Sequence, residues 1–380
     1  MKINRSTKSY ISDWWWTIDK VQLGAIALLI IFGIVLNLAA SPPIAEKLSL
    51  NQYYFVKRQF LFILMGVVVM ISFSFLNLKN LRRLCLAIFI ASLIAIFFLN
   101  IFGTPIKGAT RWLDLGIISV QPSEFAKPTF IVLISWLLSE SIFKTVPSKM
   151  ISFFLYSLFA LGLILQPDIG QTILITLTAS IIYFISGMPL IIGFIIFLLS
   201  LIGIGLSYLY VDHFYQRLNT FFNPSLGDTY QIDTAYNAIF QGGWFGVGPG
   251  EGVIKNILPD AHTDFIFAVA AEEFGLISCF IIITLFAFIV FRGLSRALLQ
   301  EDLFAKIATI GLTSLICIQV GINIAVNLGI VPTKGMTLPF ISYGGSSALS
   351  IAMTFGLILA FTRQKTTNFI YSSRKLNFQN

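Results

Sequence analysis

"VQLGAIALLIIFGIVLNLAA", residues 21–40, is a long apolar run without one charged side chain. An α-helix rises about 1.5 Å per residue, so about 20 such residues cross the roughly 30 Å hydrocarbon core of a bilayer. Comparable runs recur to the end of the chain, and the predicted spans are 21–40, 59–76, 84–102, 123–139, 151–166, 171–187, 190–210, 264–291, 304–330 and 346–362. The pattern predicts an all-α, polytopic membrane protein with about ten transmembrane helices.

The composition supports the same class. The 380 residues are 57% hydrophobic and only 11% charged, and the mean hydropathy is +0.86; a soluble protein is far more polar. Most connections are short, which predicts a single transmembrane domain over 21–362, with a cytoplasmic N-terminal segment, 1–20, and a cytoplasmic tail, 363–380. One long external loop, about 211–263, separates predicted spans seven and eight.

The distribution of Lys and Arg predicts the orientation. With an even number of spans, both termini and alternate loops share one side, which carries about twice as many Lys and Arg as the other. By the positive-inside rule both termini are expected in the cytoplasm. Topology and anionic membrane lipid therefore account for the net charge of +8, and no nucleic-acid partner is expected.

The external loop is rich in glycine between residues 242 and 252. Glycine suits tight turns and close backbone approach. The spacing partly resembles a dinucleotide-binding loop, but no strand precedes it, so a nucleotide site is not expected. "TAYNAIFQ", residues 234–241, is predicted to form a short amphipathic helix.

Ionisable residues inside apolar spans are costly and point to function. In "QPSEFAKP", 121–128, Glu124 and Lys127 are three residues apart on one predicted helix face, and Pro122 fits its first position. The pair is expected either to fix helix packing or to lie near substrate. In the preceding turn, Arg111 and Trp112 either anchor the loop or bind a sugar or phosphate.

Four further carboxylates lie in or beside the later predicted spans. Asp168 in "LQPDIGQT", 165–172, is expected to cap a helix rather than to react. In "LPDAHTDFIFAVAAEEFG", 258–275, Thr263 or Asp264 is expected to cap the eighth span, and Asp264 is also a candidate base. Glu272 and Glu273 lie about 12–13 Å deeper at 1.5 Å per residue, so a buried hydrogen-bonding role is expected for them.

"VPTKGMTLPFISYGGSS", residues 331–347, looks re-entrant, since it combines prolines, a Gly-Gly pair and several hydroxyls. Irregular backbone at membrane depth is tolerated only where protein covers it or water fills a cavity. Lys334, Ser342 and Gly344 in this loop are therefore candidate substrate-binding residues. His and Cys residues show no metal-ligand spacing, and no metal site is predicted from the residues alone.

The candidate residues together predict a transfer reaction assisted by a base. Asp264 and its neighbouring cations Arg111, Lys127 and Lys334, with Glu124, all map to the outer half of the bundle. A carboxylate base beside several cations suits a reaction in which a hydroxyl loses a proton while an anionic group departs.

At these positions the sequence resembles the SEDS family of bacterial cell-wall polymerases, which includes FtsW, RodA and SpoVE. The resemblance covers nearly all of the chain after residue 20. Its strongest segments are "KGATRWLDLG", "QPSEFAK", "QPDIG", "AHTDFIFAVAAEEFG" and "GMTLPFISYGGSS", in that order. Lys334 and "LPDAHTDFIF" are more similar to the division member FtsW than to the elongation member RodA. Asp260 stands where a Glu is common, which preserves the charge.

The resemblance implies a peptidoglycan glycosyltransferase that polymerises lipid II at the outer face of the cytoplasmic membrane, at the division septum. It implies that Asp264 is the essential aspartate, that a divalent cation, Mg²⁺ or Mn²⁺, takes part, and that the partners are a class B penicillin-binding transpeptidase of the FtsI type and the FtsQ, FtsL and FtsB complex. Three alternatives stay open: a lipid II flippase, an elongation-type RodA polymerase, and a division scaffold without activity.

Overall fold

The computed structural model describes residues 10–103, 110–114, 116, 119–140, 147–187, 193, 198, 203, 205, 208–209, 212–223, 229–333 and 335–363. Within these residues the chain forms thirteen α-helices: α1 Tyr10–Thr17, α2 Lys20–Ala40, α3 Pro42–Lys47, α4 Tyr54–Phe75, α5 Leu78–Phe102, α6 Pro122–Glu140, α7 Ser148–Leu165, α8 Ile169–Ile185, α9 Asp212–Phe222, α10 Tyr230–Gly242, α11 Ile266–Leu298, α12 Leu303–Asn327 and α13 Gly345–Phe361. A two-residue hairpin pairs β1, Leu113–Asp114, with β2, Ser119–Val120.

The predicted fold class is confirmed. Among the described residues, six helices are long and apolar enough to cross a membrane, namely α2, α4, α5, α7, α11 and α12. The predicted spans at 123–139, 171–187 and 346–362 coincide with α6, α8 and α13. The seventh predicted span, 190–210, lies largely outside the described residues. The amphipathic helix expected at 234–241 is α10, which packs against α11.

Small residues bring α4 and α13 into close contact. A methyl group on Gly66 would lie 3.2 Å from Cβ of Ala352, and one on Gly356 would lie 2.6 Å from the carbonyl oxygen of Met70. In a bilayer, where lipid is as apolar as the helices, association depends on such close packing. The middle of α13 is therefore held close to α4.

The longest helix, α11, is broken at Gly275, whose φ of 75° and ψ of −179° lie outside the helical region. A break leaves backbone carbonyls before it and N–H groups after it without helical partners. The glycine-rich segment 243–248 supplies the donors for the first half of α11. The N–H groups of Val247 and Gly248 donate to the carbonyls of Glu272 and Glu273 at 2.9 and 3.0 Å.

The same segment also supplies acceptors for the second half of α11. The N–H of Leu276 donates to the carbonyl of Gly243 at 2.9 Å, and that of Ile277 donates to the carbonyl of Trp244 at 3.4 Å. The approach requires glycine, because a Cβ on Gly246 would lie 2.1 Å from the carbonyl oxygen of Glu273. The glycine-rich segment is thus a backbone clamp on the break.

Glu272 and Glu273, beside the break, also bind the external loop through their side chains. The buried Glu272 carboxylate accepts hydrogen bonds from the N–H groups of Ile254 and Lys255 at 2.6 and 2.9 Å. The Lys255 ammonium pairs with the buried Glu273 carboxylate and donates to the carbonyl of Gly250 at 3.2 Å. The buried hydrogen-bonding role expected for Glu272 and Glu273 is confirmed.

Three aromatic rings join the N-terminal turn of α4 to the turn before α11 and to the loop before α13. His262 lies between Phe55 and Tyr343, with ring centroids 5.1 and 5.0 Å away, and the Tyr343 N–H donates to the His262 carbonyl at 2.8 Å. Burial lowers the pKa of His262 from 6.5 to about 4, although the charge of Asp260 acts in the opposite direction. The ring is neutral at pH 7.

The backbone clamp predicts that substitution by alanine destabilises the protein more at Gly246 than at Gly250. Gly246 and Gly250 both have positive φ, 81° and 88°, so alanine at either position carries a left-handed strain of about 1–2 kcal/mol. Only Gly246 also lacks space for a methyl group. Gly246→Ala is expected to lower the apparent melting temperature in detergent clearly more than Gly250→Ala. Equal shifts for the two variants would show that the close approach to α11 contributes nothing.

The lowered pKa of His262 predicts a pH dependence of stability. Between about pH 6.5 and 4 the unfolded chain binds a proton that the native His262 does not, so this contribution is complete above pH 6.5 and lost as the pH falls towards 4. His262→Phe keeps an aromatic ring in the cluster and cannot titrate. Melting temperatures of the wild type should fall relative to those of His262→Phe across this window, whereas parallel curves would exclude the effect.

Candidate functional site

Asp264 lies in the turn that precedes α11 and is half-buried. Its N–H donates to the carbonyl of Asp260 at 3.1 Å, and the hydroxyl of Thr263 donates to the same carbonyl, also at 3.1 Å. The expectation that Thr263 or Asp264 caps the helix is wrong: the N-cap residue is Phe265, without a side-chain capping bond. The N-cap position of α11 is therefore occupied by neither of the two predicted residues.

A side chain from another helix fills the capping role. The N–H of Ala268 donates to Oδ1 of Asn327, on α12, at 3.2 Å. The carbonyl of Asp264 accepts from Nδ2 of Asn327 at 3.0 Å and from Nδ2 of Asn323 at 3.1 Å. The backbone of Asp264 is thus held by two amides one turn apart on α12.

The stretch 335–344 is non-helical, and buried side-chain amides hold its backbone carbonyls. From α12, Asn323 donates to Met336 at 2.6 Å and Gln319 donates to Thr337 at 2.9 Å. From α2, Asn37 donates to the carbonyl of Ile341 at 2.6 Å. These two helices, together with α4, supply the partners that irregular backbone needs at membrane depth.

The predicted binding residues Ser342 and Gly344 are held by α4 and by the loop itself. Gln59 donates to the Ser342 carbonyl at 3.2 Å and accepts from the Gly344 N–H at 3.2 Å. The Ser342 hydroxyl accepts from the Leu338 N–H at 2.8 Å. Gln59 and Asn37 also line a cavity of about 270 Å³ between α2 and α4, together with Ile34, Val56, Lys57 and Phe60.

Asp264 and this loop face each other. A Cβ built on Gly335 would lie 3.4 Å from Oδ2 of Asp264, in van der Waals contact, so the backbone of Gly335 lies beside the carboxylate. Lys334, the neighbouring predicted cation, lies outside the described residues. The structure therefore brings the candidate base against the predicted substrate-binding loop.

The predicted pair of Glu124 and Lys127 forms a buried ion pair on the first turns of α6. Nζ of Lys127 lies 2.9 Å from Oε1 of Glu124, and the two side chains are 2% and 7% exposed. The same carboxylate oxygen accepts from the Gln171 amide on α8 at 3.0 Å, and the Glu124 carbonyl accepts from the Ser350 hydroxyl on α13 at 2.6 Å. Glu124 therefore joins three central helices, and Pro122 occupies the expected first position of α6.

Arg111 is held by the turn between α7 and α8. Its guanidinium donates to the carbonyls of Gln166 and Pro167 at 3.1 and 2.5 Å and lies 3.6 Å from the carboxylate of Asp168. Asp168 caps α8 by accepting from the Gln171 N–H at 3.4 Å, as expected. Trp112 is exposed, at 41%.

The predicted residues thus form two groups. Asp264 lies with the 335–344 stretch, while Glu124, Lys127 and Arg111 connect to each other through the first turn of α8; α13 contacts both groups. Within the part of the chain that the structure describes, no three His, Cys, Asp or Glu side chains form a cluster able to hold a metal ion. The divalent cation implied by the resemblance therefore stays a prediction, and no chemical step is assigned to it.

The sequence analysis missed the amides. Gln319, Asn323 and Asn327 recur every four residues on one face of an otherwise apolar span. Such spacing places them in line along a helix, and neutral polar side chains in a membrane helix seek partners. That signal alone could have identified the face of α12 that contacts irregular backbone.

Two relatives and two solved structures resemble the chain along nearly its whole length. It is 44% identical over 365 residues to the "Probable peptidoglycan glycosyltransferase FtsW" of Caulobacter vibrioides, covering 95% of this chain and 93% of that protein. The identity to the protein of the same name from Legionella pneumophila is 33% over 356 residues, covering 90% of each.

The fold matches the crystal structure of the Rod shape determining protein RodA of Thermus thermophilus, with a TM-score of 0.69 and 24% identity over 92% of this chain and 97% of that chain. A chain from the structure titled "Structural coordination of polymerization and crosslinking by a peptidoglycan synthase complex" matches with a TM-score of 0.74 and 24% identity, covering 91% and 97%. The profile of the FTSW_RODA_SPOVE family, described as "Cell cycle protein", matches residues 20–367. Since that match spans the bundle from α2 to α13, the chain belongs to the FtsW/RodA/SpoVE family.

Proposed function

We propose that the chain is a peptidoglycan glycosyltransferase that polymerises lipid II into glycan strands at the outer face of the cytoplasmic membrane, for septal wall synthesis in cell division. The relatives at 44% and 33% identity carry the name of such an enzyme. The observation that carries the proposal is Asp264: a half-buried carboxylate on a backbone fixed by two buried amides, facing a loop of irregular backbone.

The proposed step is one displacement. The Asp264 carboxylate takes the proton of the 4-hydroxyl on the acceptor GlcNAc, and that oxygen attacks C1 of the donor MurNAc from the face opposite the leaving group. The bond from C1 to the diphosphate oxygen breaks, so undecaprenyl diphosphate leaves and the configuration at C1 inverts. General-base assistance of this kind contributes about 10²- to 10⁴-fold in rate.

The leaving diphosphate needs positive charge nearby. Arg111, Lys127 and Lys334 are the proposed source, with Trp112, Glu124, Ser342 and Gly344 as further substrate-binding residues. Arg111 and Lys127 already have internal partners, Asp168 and Glu124. Their proposed contribution is therefore a fixed electrostatic field rather than a side chain that swings onto the substrate. The divalent cation stays a prediction from the resemblance alone.

The setting of the enzyme follows from the same reasoning. Positive residues favour cytoplasmic termini, which places Asp264 outside the cell, and the relatives named FtsW support a septal location. A class B penicillin-binding transpeptidase of the FtsI type and the FtsQ, FtsL and FtsB complex are the proposed partners. A similar fold occurs in a peptidoglycan synthase complex, which supports a protein partner.

The base is tested by Asp264→Asn, which preserves size and removes the negative charge. Purified with its transpeptidase, this variant is expected to lose polymerisation of lipid II by about 10²-fold or more, while still inserting in the membrane and binding its partner. Asp260→Asn makes the same change four residues earlier, where φ is 51° and Asn is well tolerated. It should polymerise normally.

Wild-type polymerisation by Asp264→Asn would rule out the proposed base. The same vesicle preparation distinguishes the flippase, because a chain that translocates fluorescent lipid II without making polymer would have that activity instead.

The buried ion pair permits a test that separates folding from chemistry. Lys127→Met leaves the Glu124 carboxylate buried without its cation, and breaking such a pair costs about 3–5 kcal/mol. Adding Glu124→Gln removes the stranded charge, so the double variant should regain much of the lost melting temperature. If Lys127 offsets charge on the diphosphate, the double variant folds but polymerises lipid II slowly. Full activity of the double variant would show that the ion pair contributes to helix packing alone.

A further inference from the structure

We propose that Asn323 is a positioning residue for Asp264 and fixes the gap between this carboxylate and the loop opposite it. The inference rests on the proposed function, since it assigns to Asn323 the placement of the proposed base. Asn323 is 1% exposed, lies near the C-terminal end of α12, and does not itself contact the reacting atoms.

A single amide nitrogen joins the two sides of the site. Nδ2 of Asn323 donates to the carbonyl of Asp264 at 3.1 Å and to the carbonyl of Met336 at 2.6 Å. A primary amide has two N–H donors, and here one is directed to each side. The distance between the Asp264 backbone and the 335–337 segment is therefore set by one planar group.

Neighbouring amides on the same helix face keep this group in place. Nδ2 of Asn327 donates to the Asn323 carbonyl at 2.9 Å as well as to Asp264 at 3.0 Å. Gln319, four residues before Asn323, donates to the Thr337 carbonyl at 2.9 Å. One row of amide donors on α12 thus holds both the Asp264 turn and residues 335–337.

Placement at this accuracy matters for a general base. The base must lie within about 2.6–3.2 Å of the oxygen whose proton it takes, and a shift of about 1 Å can cost about 10²-fold in rate. Gly335 lies on the other side of the gap, where an added carbon would be in van der Waals contact with the Asp264 carboxylate, at 3.4 Å. Loss of the Asn323 amide would release the Met336 carbonyl and leave the Asp264 carbonyl with Asn327 as its remaining side-chain donor, so the gap could change.

The test compares Asn323→Leu, which removes both donors at similar size, with Asn323→Ser, whose small side chain leaves room for a bridging water and so keeps the variant folded. Lipid II polymerisation is measured on the monodisperse, partner-bound fraction over a range of lipid II concentrations. We expect kcat to fall about 10- to 100-fold in Asn323→Leu and less in Asn323→Ser. The apparent KM should change by less than about threefold, because the substrate contacts remain.

Gln22→Leu is the matched control. Gln22 is also a buried amide, 2% exposed, and it donates to the carbonyl of Ile289 at 3.4 Å, near the end of α11 remote from Asp264. This variant should lose melting temperature but retain kcat.

The outcomes distinguish failure of the proposed base, Asp264, from failure of the proposed positioning role of Asn323. Asp264→Asn is assayed in parallel, and if it polymerises normally, the proposed base is wrong. If Asp264→Asn is inactive but both Asn323 variants keep wild-type kcat, the positioning role alone is overturned. It is equally overturned if Asn323→Leu raises KM with kcat unchanged, or if Gln22→Leu loses as much kcat at the same melting temperature.

Discussion

In a bilayer no water is available to backbone N–H and C=O groups, so every departure from a continuous helix needs a partner within the protein. Two such departures lie around Asp264: the break in α11 at Gly275 and the non-helical stretch 335–344. Backbone from the glycine-rich clamp satisfies the first, and side-chain amides satisfy the second. Much of the polar composition of the core is explained by this single requirement.

The same requirement makes the site rigid. A carbonyl that has one available donor at this depth stays with it, because losing the hydrogen bond leaves a buried polar group unsatisfied, at a cost of about 1–3 kcal/mol. The Asp264 backbone is consequently fixed by Asn323 and Asn327, while its carboxylate faces the loop. Polar groups that permit an irregular fold in the membrane therefore also hold the candidate base in a defined place, without being reactive themselves.

The sequence predicted the spans that lie within the described residues, the Glu124 and Lys127 pair and the buried hydrogen-bonding role of Glu272 and Glu273, because each follows from local periodicity or from the cost of burying charge. It did not predict the break at Gly275, since the compensating donors come from a loop about thirty residues earlier in the chain and depend on tertiary contact. The cap of α11 was misassigned for the same reason: Asn327 is distant in sequence, and adjacent Thr or Asp residues are the usual choice. Side-chain amides give a weak signal because their partners are backbone atoms, which leave no mark in a sequence.

The account is tested most directly by a cryo-electron microscopy structure of the chain and its transpeptidase trapped with two lipid II molecules. It predicts that a carboxylate oxygen of Asp264 lies within hydrogen-bonding distance, about 2.6–3.2 Å, of the acceptor 4-hydroxyl, with the Asn323 amide still bonded to both carbonyls. A carboxylate turned towards lipid, or saccharides bound in a groove remote from Asp264, would contradict it.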